Sequence, residues 1–391
     1  MLLIAYLLLL IALLGHGVLW VGLVNRTHAL AIPRPLLKCL DVPSMVILMG
    51  TPLWVLSQCV LNPSAPVQWM EAARSDRWFA AALVFCMLAA LFAVAVWIRR
   101  KTQARPALFV SNHSSSADML DYLERKPIGD LFTKCLDLVP GHQMFALQVN
   151  DKSLKLDRLD DPLDGLSIAH LSDLHFSGRI TRPYFEVVMD RANELDADLV
   201  AITGDIIDKA RCLDWLPAVL GRLESRHGVF YVLGNHDKRL PDTDDLRRRL
   251  TDLGLIDLGG RHQIIAVRGT EILVAGNERP WFGPRPQVPA RTSGDKVDMR
   301  FRLLLAHTPD QIAWARRHEF DLMLAGHTHG GQIRLPGVGP IFAPSLHGIK
   351  YASGLFHEPP TVLHVSRGIS GLDPLRWNCP PELAKLVLKS G

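Results

Sequence analysis

Cysteine is scarce in this 391-residue sequence, and the six present (Cys39, Cys59, Cys86, Cys135, Cys212 and Cys379) include no CxxC pair. That pattern speaks against a zinc ribbon or a disulfide frame and for isolated thiols in a reducing compartment. Charge of one sign is equally thin on the ground. A formal net charge of +4 is too small at this length to suggest a nucleic-acid partner. No internal repeat or long low-complexity tract occurs. A cleavable leader is not expected, because no Lys or Arg precedes the apolar N-terminal stretch and no small-residue cleavage site follows it. The pair Arg99-Arg100 follows an apolar run instead of preceding one, which argues against twin-arginine export.

What the sequence has in excess is apolar residues, 48% of the total, with the surplus gathered near the N-terminus. Residues 1–24 suffice for a helix crossing a hydrocarbon core of roughly 30 Å. Residues 78–98 carry no charge, and Trp78 and Trp97 sit near the two ends, where indole favours the membrane interface. Residues 42–61 are apolar too, but Pro43 and Pro52 would kink a helix or suit a re-entrant segment. If all three cross, Arg26, Arg34 and Lys38 share a side with Arg99, Arg100, Lys101 and Arg105, and the positive-inside rule makes that side cytoplasmic. With two spans, the basic residues from Arg26 to Arg77 would face outward. The expectation is therefore a multi-pass protein of the cell (inner) membrane, its lipid bilayer a partner, with the remainder of the chain in the cytoplasm. His16, inside the first span, reads as a histidine packed against a neighbouring helix. Residues 1–105 form the transmembrane region, 106–164 a juxtamembrane connector ending in strands near 145–149, and 165–391 a globular domain.

In that domain short apolar runs end in polar clusters. Strands are expected at 166–171, 198–202, 229–233, 302–305 and 321–324, with a helix at 184–195. The clusters that follow the strands are Asp173-Leu174-His175, Gly204-Asp205 with Asp208, Gly234-Asn235-His236-Asp237, Ala306-His307 and Gly326-His327-Thr328-His329. Strands alternating with helices imply an α/β architecture, whose ligands collect beyond the carboxyl ends of the strands. Asp173 and His175 are two apart, as are His327 and His329, so in extended backbone each pair points one way. Glycine before Asp205, Asn235 and His327 permits sharp turns and close approach to an ion. Imidazole, carboxylate and carboxamide together suit intermediate divalent metals such as Mn²⁺, Fe²⁺ or Zn²⁺, and the lack of thiolate disfavours structural zinc. A lone Asp-x-His is usually an ordinary turn. Five ordered clusters, each closing a strand, are not explained that way. His227, His262, His318, His347, His357, His364 and Cys212 lie outside them and read as non-ligands.

The order DLH, GDIID, GNHD, AH, GHTH resembles the calcineurin-like metallophosphoesterase superfamily over about 166–388. Gly326-His327-Thr328-His329-Gly330-Gly331-Gln332 with the late Cys379-Pro380-Pro381-Glu382 is similar to its bacterial membrane-associated branch, which includes broad phosphodiesterases and enzymes cleaving UDP-2,3-diacylglucosamine. The resemblance implies a four-layer αββα sandwich of two mixed sheets. It implies two divalent metal ions, Mn²⁺ first and Fe or Zn as alternatives. Asp173, His175 and His329 would hold one, Asn235, His307 and His327 the other, with Asp205 bridging. A metal-bridging hydroxide would attack a phosphodiester or pyrophosphate. His236 would stabilise developing charge or protonate the leaving oxygen, Asp237 would orient that imidazole, and Asp208 would support the site from behind. The spans extend the substrate range to lipids and nucleotide-linked lipids. A phosphomonoesterase of soluble or protein substrates, or a catalytically silent scaffold, are the other readings; the intact cluster set argues against the scaffold.

Overall fold

Apolar runs become long helices at one end of the chain and short buried strands at the other. The computed structural model describes residues 1–102, 108–293 and 296–391; Arg105 and the boundary between residues 105 and 106 lie outside the described residues. The chain divides into two compact units, Met1–Ala104 and Arg105–Gly391.

The first unit contains α1 (Leu2–His28), α2 (Arg34–Leu61), α3 (Ala65–Ser75) and α4 (Arg77–Thr102). Helices α1, α2 and α4 are long and apolar enough to cross a membrane. Helix α2 begins at Arg34, earlier than the expected 42, and runs through Pro43 and Pro52 without a break. Each proline removes an N–H and leaves the carbonyl four residues earlier without its helical donor. His16 of α1 meets the neighbouring helix at Ile47, its Nε2 3.2 Å from that carbonyl oxygen. The carboxylate of Asp41 in α2 takes the Nε2 of His28 at 2.9 Å. A Cβ on Gly15 would lie 1.6 Å from the carbonyl oxygen of Cys86, so glycine there lets α1 and α4 approach backbone to backbone.

Among its described residues the second unit carries seventeen strands. They are β1 (Phe109–Asp118), β2 (Ala146–Leu156), β3 (Ser167–Leu171), β4 (Leu199–Thr203), β5 (Val229–Val232), β6 (Ile256–Asp257), β7 (His262–Val267), β8 (Thr270–Asn277), β9 (Thr292–Ser293), β10 (Lys296–Val297), β11 (Arg302–Ala306), β12 (Leu322–Ala325), β13 (Arg334–Leu335), β14 (Gly339–Pro340), β15 (Gly354–Glu358), β16 (Thr361–Val365) and β17 (Glu382–Ser390). One mixed sheet has the order β1-β2-β17-β3-β4-β5-β6 and the other β15-β16-β12-β11-β8-β7. Strands β3, β4 and β5 run parallel, as do β8, β11, β12 and β16. Such strands are covered on both faces and read as continuous apolar runs. Between the sheets Ile168, Ala201 and Val232 meet Val274, Leu303 and Leu324. Outside the first sheet pack α6 (Arg182–Glu194), through Phe185 and Val188, and α8 (Thr243–Asp252), through Leu246 and Leu250. Outside the second packs α9 (Ile312–Arg317), through Ile312 and Ala315. The expected helix–sheet–sheet–helix layering is the observed one.

Within the stretch expected as a connector ending in strands near 145–149, residues 108–164 supply β2 at that place and also β1 to the first sheet. Strand β1 is mostly exposed and polar, so it lacks the alternation that marks a half-buried strand. Strand β2 pairs in parallel with β17, from Gln148 opposite Glu382 to Leu156 opposite Ser390.

Candidate metal centre

The clusters meet at the carboxyl ends of the parallel strands. After β3 the chain turns at once: the Asp173 N–H donates to Gly204 O at 3.0 Å and the His175 N–H to Asp205 O at 2.9 Å. Asp173, His175, Asp205, His327 and His329 all adopt positive φ, between 50° and 69°. The expected extended geometry for Asp173/His175 and His327/His329 is thus replaced by left-handed turns. A left-handed non-glycine residue costs on the order of 1–3 kcal/mol, a cost typical of functional sites. Glycine is needed beside them. A Cβ on Gly326 would lie 1.8 Å from Ser172 Oγ and 2.4 Å from Asp173 Oδ2, and one on Gly234 would lie 2.2 Å from Asp205 Oδ1.

Asp173, His175, Asp205 and His329 offer ligand atoms within 4.8 Å of one another, and so do Asp205, His307 and His327. His175 Nε2 lies 3.2 Å from His329 Nε2 and 3.5 Å from Asp205 Oδ2. His329 Nε2 is 3.5 Å from Asp173 Oδ1. On the other side His307 Nε2 stands 3.3 Å from Asp205 Oδ1, 3.0 Å from Asn235 Oδ1 and 3.1 Å from His327 Nδ1. Trp281 walls that side, its ring centroid 5.4 Å from His307 and 4.8 Å from His327.

Hydrogen bonds behind the rings settle which nitrogen faces inward. His307 Nδ1 donates to the Thr203 carbonyl at 2.7 Å and His329 Nδ1 to the Ser370 carbonyl at 3.2 Å. A carbonyl can only accept, so each Nδ1 carries a proton, and in the neutral ring Nε2 is the acceptor turned to the site. The Asp208 carboxylate takes Nδ1 of His175 at 2.9 Å and also bonds Nδ1 of His236. His236 Nε2 thereby points inward, 4.0 Å from Asp205 Oδ2. Asp237, expected to orient His236, does something else. Its oxygens accept the N–H groups of Ile206 and Ile207, each at 2.9 Å, and of Gly234 at 2.8 Å, lashing the Asp205 loop to the Asn235 loop. The short 3₁₀ turn Asp237–Arg239 swings this carboxylate back under its own loop, and Asp208 occupies the place assigned to it.

The electrostatics match a cation site. Burial opposes charge on His175 and His307, but the surrounding carboxylates outweigh it and push both up to about 9: Asp208 first for His175, Asp205 first for His307. Burial, with His175 and Arg376 nearby, drives His329 well below its ordinary value. His236 falls to about 4, burial again prevailing over Asp205 and Asp208. Packed anionic oxygens and inward imidazole nitrogens with no thiolate are a donor set for intermediate divalent ions.

Two supports of the site were not read from the sequence. Arg376 is fully buried, and its guanidinium donates to His329 O at 3.0 Å, to Arg367 O at 2.7 Å and to Ser370 O. Deeper still, Lys152 Nζ bonds Glu382 Oε1 at 2.6 Å and His364 Nε2 at 2.8 Å. His170 Nδ1 meets His364 Nδ1 at 2.8 Å, and its Nε2 meets Thr203 Oγ1 at 2.8 Å. No local pattern marks them, since β2 carries Gln148, Asn150, Asp151 and Lys155 beside Lys152, and Glu382 is the first residue of β17. His364 joins none of the metal-type clusters among the described residues.

Residues 166–331 match the family of calcineurin-like phosphoesterases. The chain is 31% identical to the uncharacterized metallophosphoesterase YkuE of Bacillus subtilis (strain 168) over 249 residues, 62% of this chain and 86% of that protein. It is 31% identical over 225 residues to the phosphodiesterase YaeI of Escherichia coli (strain K12), 56% of this chain and 81% of that one. A Bos taurus transmembrane protein with metallophosphoesterase domain is 28% identical over 262 residues, 62% of this chain but 57% of its own length. With its motifs gathered on the two-sheet scaffold and relatives matched over most of their length, the chain belongs to the calcineurin-like metallophosphoesterases, metal-dependent hydrolases of phosphoric esters.

Proposed function

We propose that this protein is a membrane-anchored phosphodiesterase or pyrophosphatase with a two-metal centre. The observation that carries the reading is the placement of Asp205, whose two oxygens turn to different clusters: Oδ2 toward His175 and Oδ1 toward His307. A carboxylate so placed would serve as shared ligand, and Asp173, His175 and His329 would hold one ion and Asn235, His307 and His327 the other. Divalent ions held there, Mn²⁺ or else Fe or Zn, supply Lewis acidity to a phosphoryl group and make water a nucleophile at neutral pH. The chain's own groups do the rest. Asp208 fixes His175 and His236 with Nε2 inward. His236 turns its Nε2 toward the site, 4.0 Å from Asp205 Oδ2, where it can stabilise developing charge or protonate a leaving oxygen. Asp237 keeps the two ligand loops in register from below.

The name of the phosphodiesterase YaeI favours a diester over a monoester substrate. The apolar helices favour action at a membrane, and the basic residues Arg99, Arg100 and Lys101 at the end of α4 favour the cytoplasmic face of the cell membrane. A lipid or nucleotide-linked lipid fits that location. The test is a substrate panel on the detergent-purified protein. Chelation should abolish cleavage of bis-p-nitrophenyl phosphate, and Mn²⁺ should restore it with little action on p-nitrophenyl phosphate. Full activity in a sample shown metal-free by elemental analysis would overturn the metal mechanism, and cleavage of the monoester alone would overturn the diester assignment.

A further inference from the structure

The second unit leaves large apolar side chains exposed mainly along one rim of the site. Beyond His329 the chain enters the β13–β14 hairpin, where Ile333, Val338 and Phe342 stand out to solvent. On the other flank, α5 (Leu131–Asp137) and the residue after it expose Leu131, Phe132 and Leu138, the first and last at 75% and 77%. The two patches bracket one strip of chain: His142 bridges Trp377 from one side and Ile333 bridges it from the other. Arg376, next to Trp377, donates to the carbonyl of His329. The exposed apolar collar is thus one short segment away from the metal ligands.

Its charge is as uneven as its polarity. From His329 to Tyr351 there is no Asp or Glu, while Arg334 and Lys350 are present. In α5 the single acid, Asp137, is matched by Lys126 at 2.7 Å, and Lys134 is exposed beside Leu131 and Leu138. A contiguous apolar patch rimmed by polar groups marks an interaction surface. Lys350 is paired with Glu358, and Asp130 and Asp373 share Arg179, so the cations left at the apolar surface are Lys134 and Arg334; apolar side chains with basic residues among them suit the headgroup–acyl boundary of an anionic bilayer. The same chain carries three helices of membrane-crossing length, so such a surface is its constant neighbour.

We infer that this collar is a bilayer-contact surface, which seats the catalytic unit on the membrane with its metal centre at the level of phosphoester headgroups. The docking stands on the surface alone; its bearing on substrate rests on the phosphodiesterase reading above.

The experiment uses the full chain in nanodiscs of phosphatidylethanolamine and phosphatidylglycerol, with the exposed Cys39 and Cys135 changed to Ser. An environment-sensitive fluorophore is attached at L138C, V338C or, as control, M299C, an exposed position just before β11 and so away from the carboxyl-end site. Lipids spin-labelled in the acyl chain should quench the first two and spare the third. Equal quenching at all three, or disulfide cross-links between copies at V338C, would overturn the proposal, the latter by making the occupant a second copy. In parallel, the double variant L138E/V338E should lose roughly tenfold in kcat/KM on a diester lipid in the disc, about 1.4 kcal/mol, and keep its rate on bis-p-nitrophenyl phosphate. An equal loss on both substrates would overturn the link to the substrate. If the parent cleaves neither, the phosphodiesterase reading fails while the quenching still decides the docking.

Discussion

Replacing Asp208 by Asn isolates the hydrogen bonding behind the metal centre from the ligands themselves. The Asp208 carboxylate accepts from Nδ1 of both His175 and His236, whereas Asp205 faces their Nε2 atoms at 3.5 and 4.0 Å. Burial works against its charge, yet the two imidazoles prevail and hold it well below the usual carboxylate range. An Asn side chain has nearly the same shape but one acceptor and one donor end. It can satisfy one ring; the other must face an NH₂ group or move its proton to Nε2. If His175 moves, it loses the lone pair that binds a metal; if His236 moves, it loses its fixed orientation. A hydrogen bond to a charged group is worth about 1.5–3 kcal/mol. Loss of such a partner behind a metal-binding histidine costs roughly 10–100-fold in affinity or activity. Asp208→Asn should therefore raise the Mn²⁺ concentration for half-maximal rate, or lower the saturated rate, by about that factor, without unfolding the protein. The assay is initial rate on bis-p-nitrophenyl phosphate against Mn²⁺, with metal content measured on the same samples. A variant with the parental half-saturation and the parental saturated rate would refute the reasoning.

His236→Ala should keep its metal and lose turnover by roughly 10²–10⁴-fold, whereas Asp205→Ala should lose metal too; a metal-replete Asp205→Ala protein would count against a shared ligand. Glu382 is held well below its ordinary value, since Lys152 and Arg367 outweigh the burial that opposes its charge. The stability this gives is complete above the unfolded value of about 4.3 and is lost as pH falls below it. Glu382→Gln should therefore cost about 3–5 kcal/mol near neutrality, with thermal denaturation showing the gap to the parent closing below about pH 4; equal melting at pH 7 would contradict the buried pair. Finally, a reporter active only outside the cytoplasm, fused after Gly391, should stay silent while a cytoplasmic one is active; the reverse would put the catalytic unit on the other side and direct the substrate search to extracytoplasmic phosphoesters.

How far these features could be read in the sequence depended on whether a local pattern carried them. Strands β3, β4, β5, β11 and β12 are buried apolar runs stopped by Gly, Asp, Asn or His, so their limits shift by only a residue or so from expectation. The metal-type residues follow those strands directly, and the structure brings Asp173, His175, Asp205, His307, His327 and His329 together there. Asp237 and Asp208 show where local reasoning ends. Adjacency favoured Asp237 as the partner of His236, but a three-residue turn decides which way its carboxylate points, and Asp208 arrives from the loop after β4. Strand β1 offered no apolar alternation at all, and β2 finds β17 only across more than half the chain.

The polar layer beneath the ligand loops was hidden for the same reason. Lys152 and His170 come from the first sheet and His364 from the second, and they meet only when the sheets stack. Between the sheets, therefore, the filling changes along the strands. Ile168, Ala201, Leu303 and Leu324 make it apolar, whereas His170, Thr203 and His364 make it polar next to the loops that hold Asp173, Asp205 and His307. An apolar layer under those loops would take away the His170 partner of the Thr203 hydroxyl. The polar layer holds that residue from below, and Thr203 O in turn fixes the ring of His307. The buried charges thus belong to the construction of the site even though none of them lines it.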